Sequence, residues 1–158
     1  MITSDDILIK DFYAIISINN NDEIPRYDKE IETLKLVYPG LTEDEIIDKP
    51  LEEVDLMIDA ILNQSELAIH PEIEIGDRKF TLKGNVEDFR FSFRQYKNFE
   101  KSVYSQNFEY VHLLMADIYV DDTSFEERAA FFYDNMHMRW ASYFITKLPE
   151  VIEKKILR

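Results

Sequence analysis

The hydrophobic period of this chain changes once, and that change constrains its fold most. Glu72-Ile73-Glu74-Ile75 alternates, Gly76-Asp77 follows, and Lys79-Phe80-Thr81-Leu82 alternates again. Successive side chains of a strand point to opposite faces, so an alternating run buries one face and wets the other. Two such runs across a Gly-Asp pair predict a β-hairpin. Elsewhere the apolar residues recur mostly at three- and four-residue intervals, the period of an amphipathic helix. An isolated hairpin is marginal in water, so this one must lie against helices or gain another strand. The pattern therefore predicts a mainly α (α+β) fold, a helical domain with one hairpin near residues 72–82.

Start and stop residues divide the helical remainder. Residues 5–18 carry Ile7, Leu8, Phe12, Ile15, Ile16 and Ile18. Ser4 is the expected N-cap, and Asp5 and Asp6 suit the positive end of the helix dipole. Asn19-Asn20-Asn21-Asp22 stops this helix. A second spans 28–38 and ends at Pro39-Gly40. Thr42 and Glu45 form a capping box that opens a short third, because Pro50 disfavours helix at Lys49. Pro50 suits the first turn of a fourth helix. There Leu51, Val54, Leu56, Met57, Ile58, Ile61 and Leu62 form the apolar set, opposed by Glu52, Glu53, Asp55 and Asp59. After the hairpin, Phe89, Phe91 and Phe93 alternate with Arg90, Ser92 and Arg94, while Ser92 and Gln95 make another capping box. The expected result is a short extended piece at 88–91 and a helix over 93–104. Further helices are expected over 107–120, over 125–134 behind a Ser124/Glu127 capping box, and over 136–148. Pro149 breaks the last before an amphipathic turn or two at 150–156.

Charge and aromatic residues are distributed in opposite senses. The chain has 158 residues and a net charge of −14, a length that suits one domain. Residues 1–66 hold 17 of the 32 acids, 5 of the 18 bases and 4 of the 21 aromatics. The chain thus reads as an acidic helical part over 1–66 and a hairpin plus aromatic-rich helical part over 67–158, packed as one compact unit. An acidic surface repels phosphate backbones, whose affinity comes largely from counterion release by Lys and Arg. Nucleic acid and anionic membranes are therefore poor partners, and a basic protein is a good one. No apolar run approaches the 18 residues that a spanning helix needs. Asp5, Asp6, Lys10 and Asp11 leave no secretory leader at the start of the sequence. Cysteine is absent, so disulfides, thiolate zinc sites and cysteine nucleophiles are excluded.

Catalytic patterns are weak. Glu109-x-x-His112 and Asp134-x-x-His137 have the i, i+3 spacing of di-iron bundle helices, but no further Glu on an apolar face completes a ligand set. A helix-surface ion pair at Glu109/His112 and capping at 134–135 are the expected roles. Asp117, Asp121, Asp122, Thr123 and Ser124 lack the glycine turn of a calcium loop; they are expected to end one helix and start the next. His70, His112 and His137 sit in no hydrolytic motif, and no Gly-rich phosphate loop occurs. No catalytic residue, cofactor site or metal site is expected. Arg78, Lys79, Lys83, Arg90, Arg94, Lys97 and Lys101 interleave with Phe80, Phe89, Phe91, Phe93 and Tyr96. Such a strip can stack and neutralise single-stranded nucleic acid, or pair with the acidic part of its own or another copy. The aromatic and Met set from Phe125 to Phe144 is either core or partner contact. The candidate protein-interface residues are Arg90, Arg94, Lys97, Trp140 and Tyr143.

The order of elements resembles a known group. A hairpin with a Gly-Asp turn (Glu72 to Leu82) leads into a capped helix with Phe93-Arg94-Gln95-Tyr96. Next come Glu109-Tyr110-Val111-His112-Leu113-Leu114-Met115-Ala116, Phe125-Glu126-Glu127-Arg128-Ala129 and an aromatic helix through Tyr143-Phe144. Over about residues 70–148 this resembles small structural and assembly proteins of tailed bacteriophages, of the crAss-like type. The resemblance implies a non-enzymatic virion component, most specifically an auxiliary protein at the portal vertex or head-tail junction. It implies multiple copies packed against portal, capsid or connector proteins, with no cofactor. A tail-assembly chaperone is the neighbouring possibility, and an acidic DNA mimic that inhibits a host protein is one from another class.

Overall fold

The capping box read from Thr42 and Glu45 is formed: Glu45 N–H donates to Thr42 Oγ1 at 3.2 Å, and Thr42 N–H donates to Glu45 Oε2 at 2.7 Å. It opens one of seven α-helices in a computed structural model that describes residues 1–63, 67–83, 97, 100 and 108–147. A 3-10 turn, Ser4–Asp6, precedes α1 (Ile9–Asn19), α2 (Arg26–Val37), α3 (Glu43–Ile47) and α4 (Leu51–Leu62). The hairpin β1 (Glu72–Ile75) and β2 (Arg78–Leu82) follows. A second 3-10 turn, Phe108–Tyr110, leads into α5 (Val111–Ile118), β3 (Tyr119–Val120), α6 (Phe125–Asn135) and α7 (Met138–Thr146). The chain is mainly helical with a small antiparallel sheet, an α+β fold.

The hairpin has the expected register, Ile73 opposite Phe80 and Ile75 opposite Arg78. Gly76 takes a φ of 63° in the turn, where a side chain would be strained. Ile73, Ile75 and Phe80 are buried, while Glu72 and Glu74 face water near Lys79, at 3.6 and 3.7 Å.

The extended piece expected at 88–91 lies outside the described residues, as does most of the helix expected over 93–104; Lys97 and Glu100 are helical. The strand that does join the hairpin comes from a segment read as helix. The helix expected over 107–120 stops at Ile118, and Tyr119–Val120 pairs antiparallel with Thr81 and Leu82. Both residues favour strands, and the sheet satisfies their backbone where a longer helix would not. Lys83 N–H also donates to Ile118 O at 2.7 Å.

The first helix begins later than its caps suggested. Thr3 and Asp6 cap the 3-10 turn, and Ser4 serves elsewhere: its hydroxyl donates to Asn63 O at 2.6 Å, tying the chain start to the end of α4. Ile7 and Leu8 then run extended. Ile9 N–H donates to Met136 O at 2.9 Å and Met138 N–H to Ile7 O at 2.7 Å. This bridge takes Met136 and His137 out of the expected 136–148 helix, which begins at Met138.

Two apolar clusters result. One holds Ile7, Ile15, Leu34, Ile46, Val54, Met57 and Ile61. The other lies between the sheet and α5–α7 and includes Phe80, Leu114, Tyr119, Phe132, Met136 and Phe144. Phe80 meets Phe132 edge-on at 4.7 Å. Arg128 is buried beside this cluster, with Nε 3.1 Å from Ala116 O and Nη1 on Thr123 O. It thereby satisfies the Ala116 carbonyl near the end of α5 and the Thr123 carbonyl in the loop before α6.

Candidate functional site

Arg90 and Arg94 lie outside the described residues, and Lys97 is helical and exposed. Trp140 and Tyr143 are both on α7 and half-buried against the aromatic cluster. Trp140 meets His70 edge-on at 4.9 Å, and Tyr143 meets Phe144 at 5.5 Å. A shallow groove of about 240 Å³ runs past Trp140, between the hairpin turn at Gly76 and His137 and Arg139. Its cation is already committed, since Arg139 Nη2 lies 2.9 Å from Asp6 Oδ1. Phe132, Met136, Met138 and Phe144 are buried. Of the C-terminal aromatic set, Tyr133 is the one that stands among the exposed large apolar residues.

His112 has a partner that its helical spacing did not point to. It makes a half-buried contact with Tyr13, 99 residues away in sequence. His112 N–H donates to Tyr13 Oη at 3.1 Å, and Tyr13 Oη stands 2.7 Å from His112 Nδ1. Tyr13 Oη and His112 Nδ1 thus share one proton, whose donor depends on the imidazole tautomer. Burial lowers the His112 pKa and raises that of Tyr13, so both stay neutral near pH 7. Tyr133 packs edge-on at 5.2 Å. The group is a neutral staple between α1 and α5.

The acidic groups of the other expected sites also have structural work. Asp134 sits 3.8 Å from Lys10. Asp121 accepts from Thr123 N–H at 2.9 Å and from Arg78 at 2.8 Å. Burial opposes charge on Asp121, but these hydrogen bonds outweigh it and hold the carboxyl below its ordinary range. Arg78 in turn lies 4.1 Å above the Phe131 ring. Ser124 caps α6 through Glu127 N–H, as its spacing suggested. Among the described residues, no group of three or more His, Asp or Glu is placed to hold a metal ion.

The surface that stands out lies on the helix whose spacing reads as amphipathic, and on α3 before it. On α4, Val54, Met57 and Ile61 are buried. Leu51, Leu56 and Leu62 are 65%, 60% and 52% exposed, and Ile47 on α3 is 58% exposed. A helix covered along one side has room for a single stripe, and this one packs on α2 and the first 3-10 turn. Its remaining leucines stay in water. Around them, Glu43, Asp44, Glu45, Asp48, Glu52, Glu53, Asp55 and Asp59 are all exposed. The sole base of that stretch, Lys49, is 2.8 Å from Glu53. Periodicity could not reveal this face, because it counts apolar residues without counting the neighbours available to cover them. Compared with models of protein families, with characterised proteins and with solved structures, the chain shows no significant match.

Proposed function

We propose that this protein is a non-enzymatic structural adaptor of a phage virion, packed in several copies at the portal vertex or head-tail junction between larger virion proteins. The observation that carries the assembly role is the α3–α4 surface, where Ile47, Leu51, Leu56 and Leu62 stand in water among eight carboxylates. Leu51 and Leu62 share one stripe of α4 with the half-buried Ile58, while Leu56 stands apart, and an exposed apolar stripe of this kind marks a protein contact. The likeness of residues 70–148 to small proteins of tailed phages supplies the setting. Among the described residues, Tyr13 and His112 hold each other, as do Arg78 and Asp121. An acidic DNA mimic fits less well, because a phosphate backbone carries no aliphatic projections. Mass spectrometry of purified phage particles tests the proposal. The chain is expected among the virion components; its absence from particles, with presence in infected-cell lysate, would favour a tail-assembly chaperone.

A further inference from the structure

We infer that the α4 face binds a basic amphipathic helix of a partner protein, and that one aliphatic side chain of that helix anchors in a cavity at the C-terminal end of α4. The inference rests on the adaptor reading and names the chemistry of its partner.

Leu51, Ile58 and Leu62 stand at i, i+7 and i+11, so they form one stripe along α4 beside the buried Val54 and Ile61. The stripe ends at a cavity of about 110 Å³, lined by Ile7, Ile15, Ile16, Ile61, Leu62 and Met138 among others. Leu62 both lines the cavity and is half in water, so the cavity reaches the surface there. The two serines in its wall have spent their hydroxyls, Ser4 on Asn63 O and Ser142 on Met138 O. The space is smaller than the ~150 Å³ that holds a benzene ring and suits a branched aliphatic side chain. A buried apolar anchor within a polar rim is the usual form of an energetic centre in an interface.

Charge selects the occupant. Eight carboxylates against one engaged lysine call for a basic surface. A second copy meeting the same face would set carboxylates against carboxylates. Of the described bases in another copy's strip, Arg78 is bound to Asp121 and Lys79 lies beside Glu72 and Glu74; Lys83 and Lys97 are exposed, and sedimentation equilibrium decides that case. A lysine-bearing helix from another protein satisfies both the charge and the stripe.

The test uses the full chain and a fluorescent amphipathic helical peptide of Leu and Lys, about five turns long, read by anisotropy. A second peptide has the same lysines and Gln for Leu. The Leu/Lys peptide is expected to bind about tenfold tighter than the Gln/Lys peptide, and Leu62→Asp to erase that advantage. Ile16→Phe, which fills the cavity, is expected to weaken binding several-fold with an unchanged circular dichroism spectrum. Tyr133→Ser is expected to leave binding unaltered. Equal binding of the two peptides, or an unaffected Leu62→Asp variant, would overturn the inference. So would a dimer in sedimentation equilibrium that Leu62→Asp dissociates, which gives the face to a second copy. Tighter peptide binding by Ile156→Asp/Leu157→Asp would give it to the chain's own C-terminal segment. A chain found in particles that ignores the peptide rejects this inference alone; one that binds the peptide but is missing from particles rejects the virion setting alone.

Discussion

The two apolar clusters differ in what they are made of and in how well they are covered. The one under the acidic helices is aliphatic, with seven buried residues. The one beneath the hairpin has sixteen, among them the rings of Phe80, Tyr119, Phe132 and Phe144, of which Tyr119 and Phe144 meet edge-on at 5.9 Å. Among the described residues, six of the seven exposed large apolar residues, Tyr133 being the exception, belong to residues 1–66. Over those residues the cluster beneath the hairpin is the better covered, and the one under the acidic helices keeps apolar surface to spare. Aromatic side chains cover more area per residue, whereas short aliphatic stripes leave part of their length in water.

The largest expected effect breaks the aromatic cluster. Phe132→Ala removes a fully buried ring and should cost about 3–5 kcal/mol, read as a lower midpoint in urea. Leu34→Ala, equally buried in the other cluster, should cost about 3 kcal/mol. Trp140, the sole tryptophan, reports on the aromatic region. Because Ile7 and Ile9 tie the two regions through backbone hydrogen bonds, Leu34→Ala is expected to shift Trp140 fluorescence and far-ultraviolet dichroism together. A Trp140 transition left in place would show that the regions unfold separately.

A smaller effect is expected at the staple between them. Tyr13→Phe strips the His112 N–H and Nδ1 of their partner and should cost about 1–3 kcal/mol. The same site is sensitive to pH. Burial lowers the His112 pKa below its ordinary 6.5, so the unfolded chain takes up the proton first. Its contribution to stability is whole above about pH 6.5 and falls away as the pH drops below that value. His112→Gln should shrink the pH dependence of the urea midpoint. A residual slope is expected from His137, which burial and Arg139 also lower against the opposing pull of Asp6.

The smallest effect sharpens the contrast from the other side. Leu56→Lys replaces a side chain that is 60% exposed and should alter stability by no more than about 0.5 kcal/mol, as measured by thermal melting. A loss near that of Leu34→Ala would mean that Leu56 is covered in the free protein.

Local signals in the sequence were faithful where local physics settles the outcome. The Gly76-Asp77 hairpin, the Thr42/Glu45 box and the Ser124 cap each need only residues within a few positions, and each is present. Tyr119–Val120 was misread because a strand depends on an edge to pair with, and that edge is about 40 residues earlier. The tie between His112 and Tyr13 was missed for the same reason, since the two are 99 residues apart. The α4 leucines show the limit most clearly: they belong to an amphipathic pattern, yet only Val54, Met57 and Ile61 of the helix are fully buried, with Ile58 packed in part.

The sequence by itself determined the helical class, the single hairpin and the opposed gradients of acid and aromatic side chains, because period, caps and composition act over one turn or one strand. Only the tertiary structure decided which apolar residues are covered, which strand completes the sheet and which polar groups pair. Burial is a property of where distant segments come to rest, and nothing in the local pattern of α4 states how much of its surface the rest of the chain can reach.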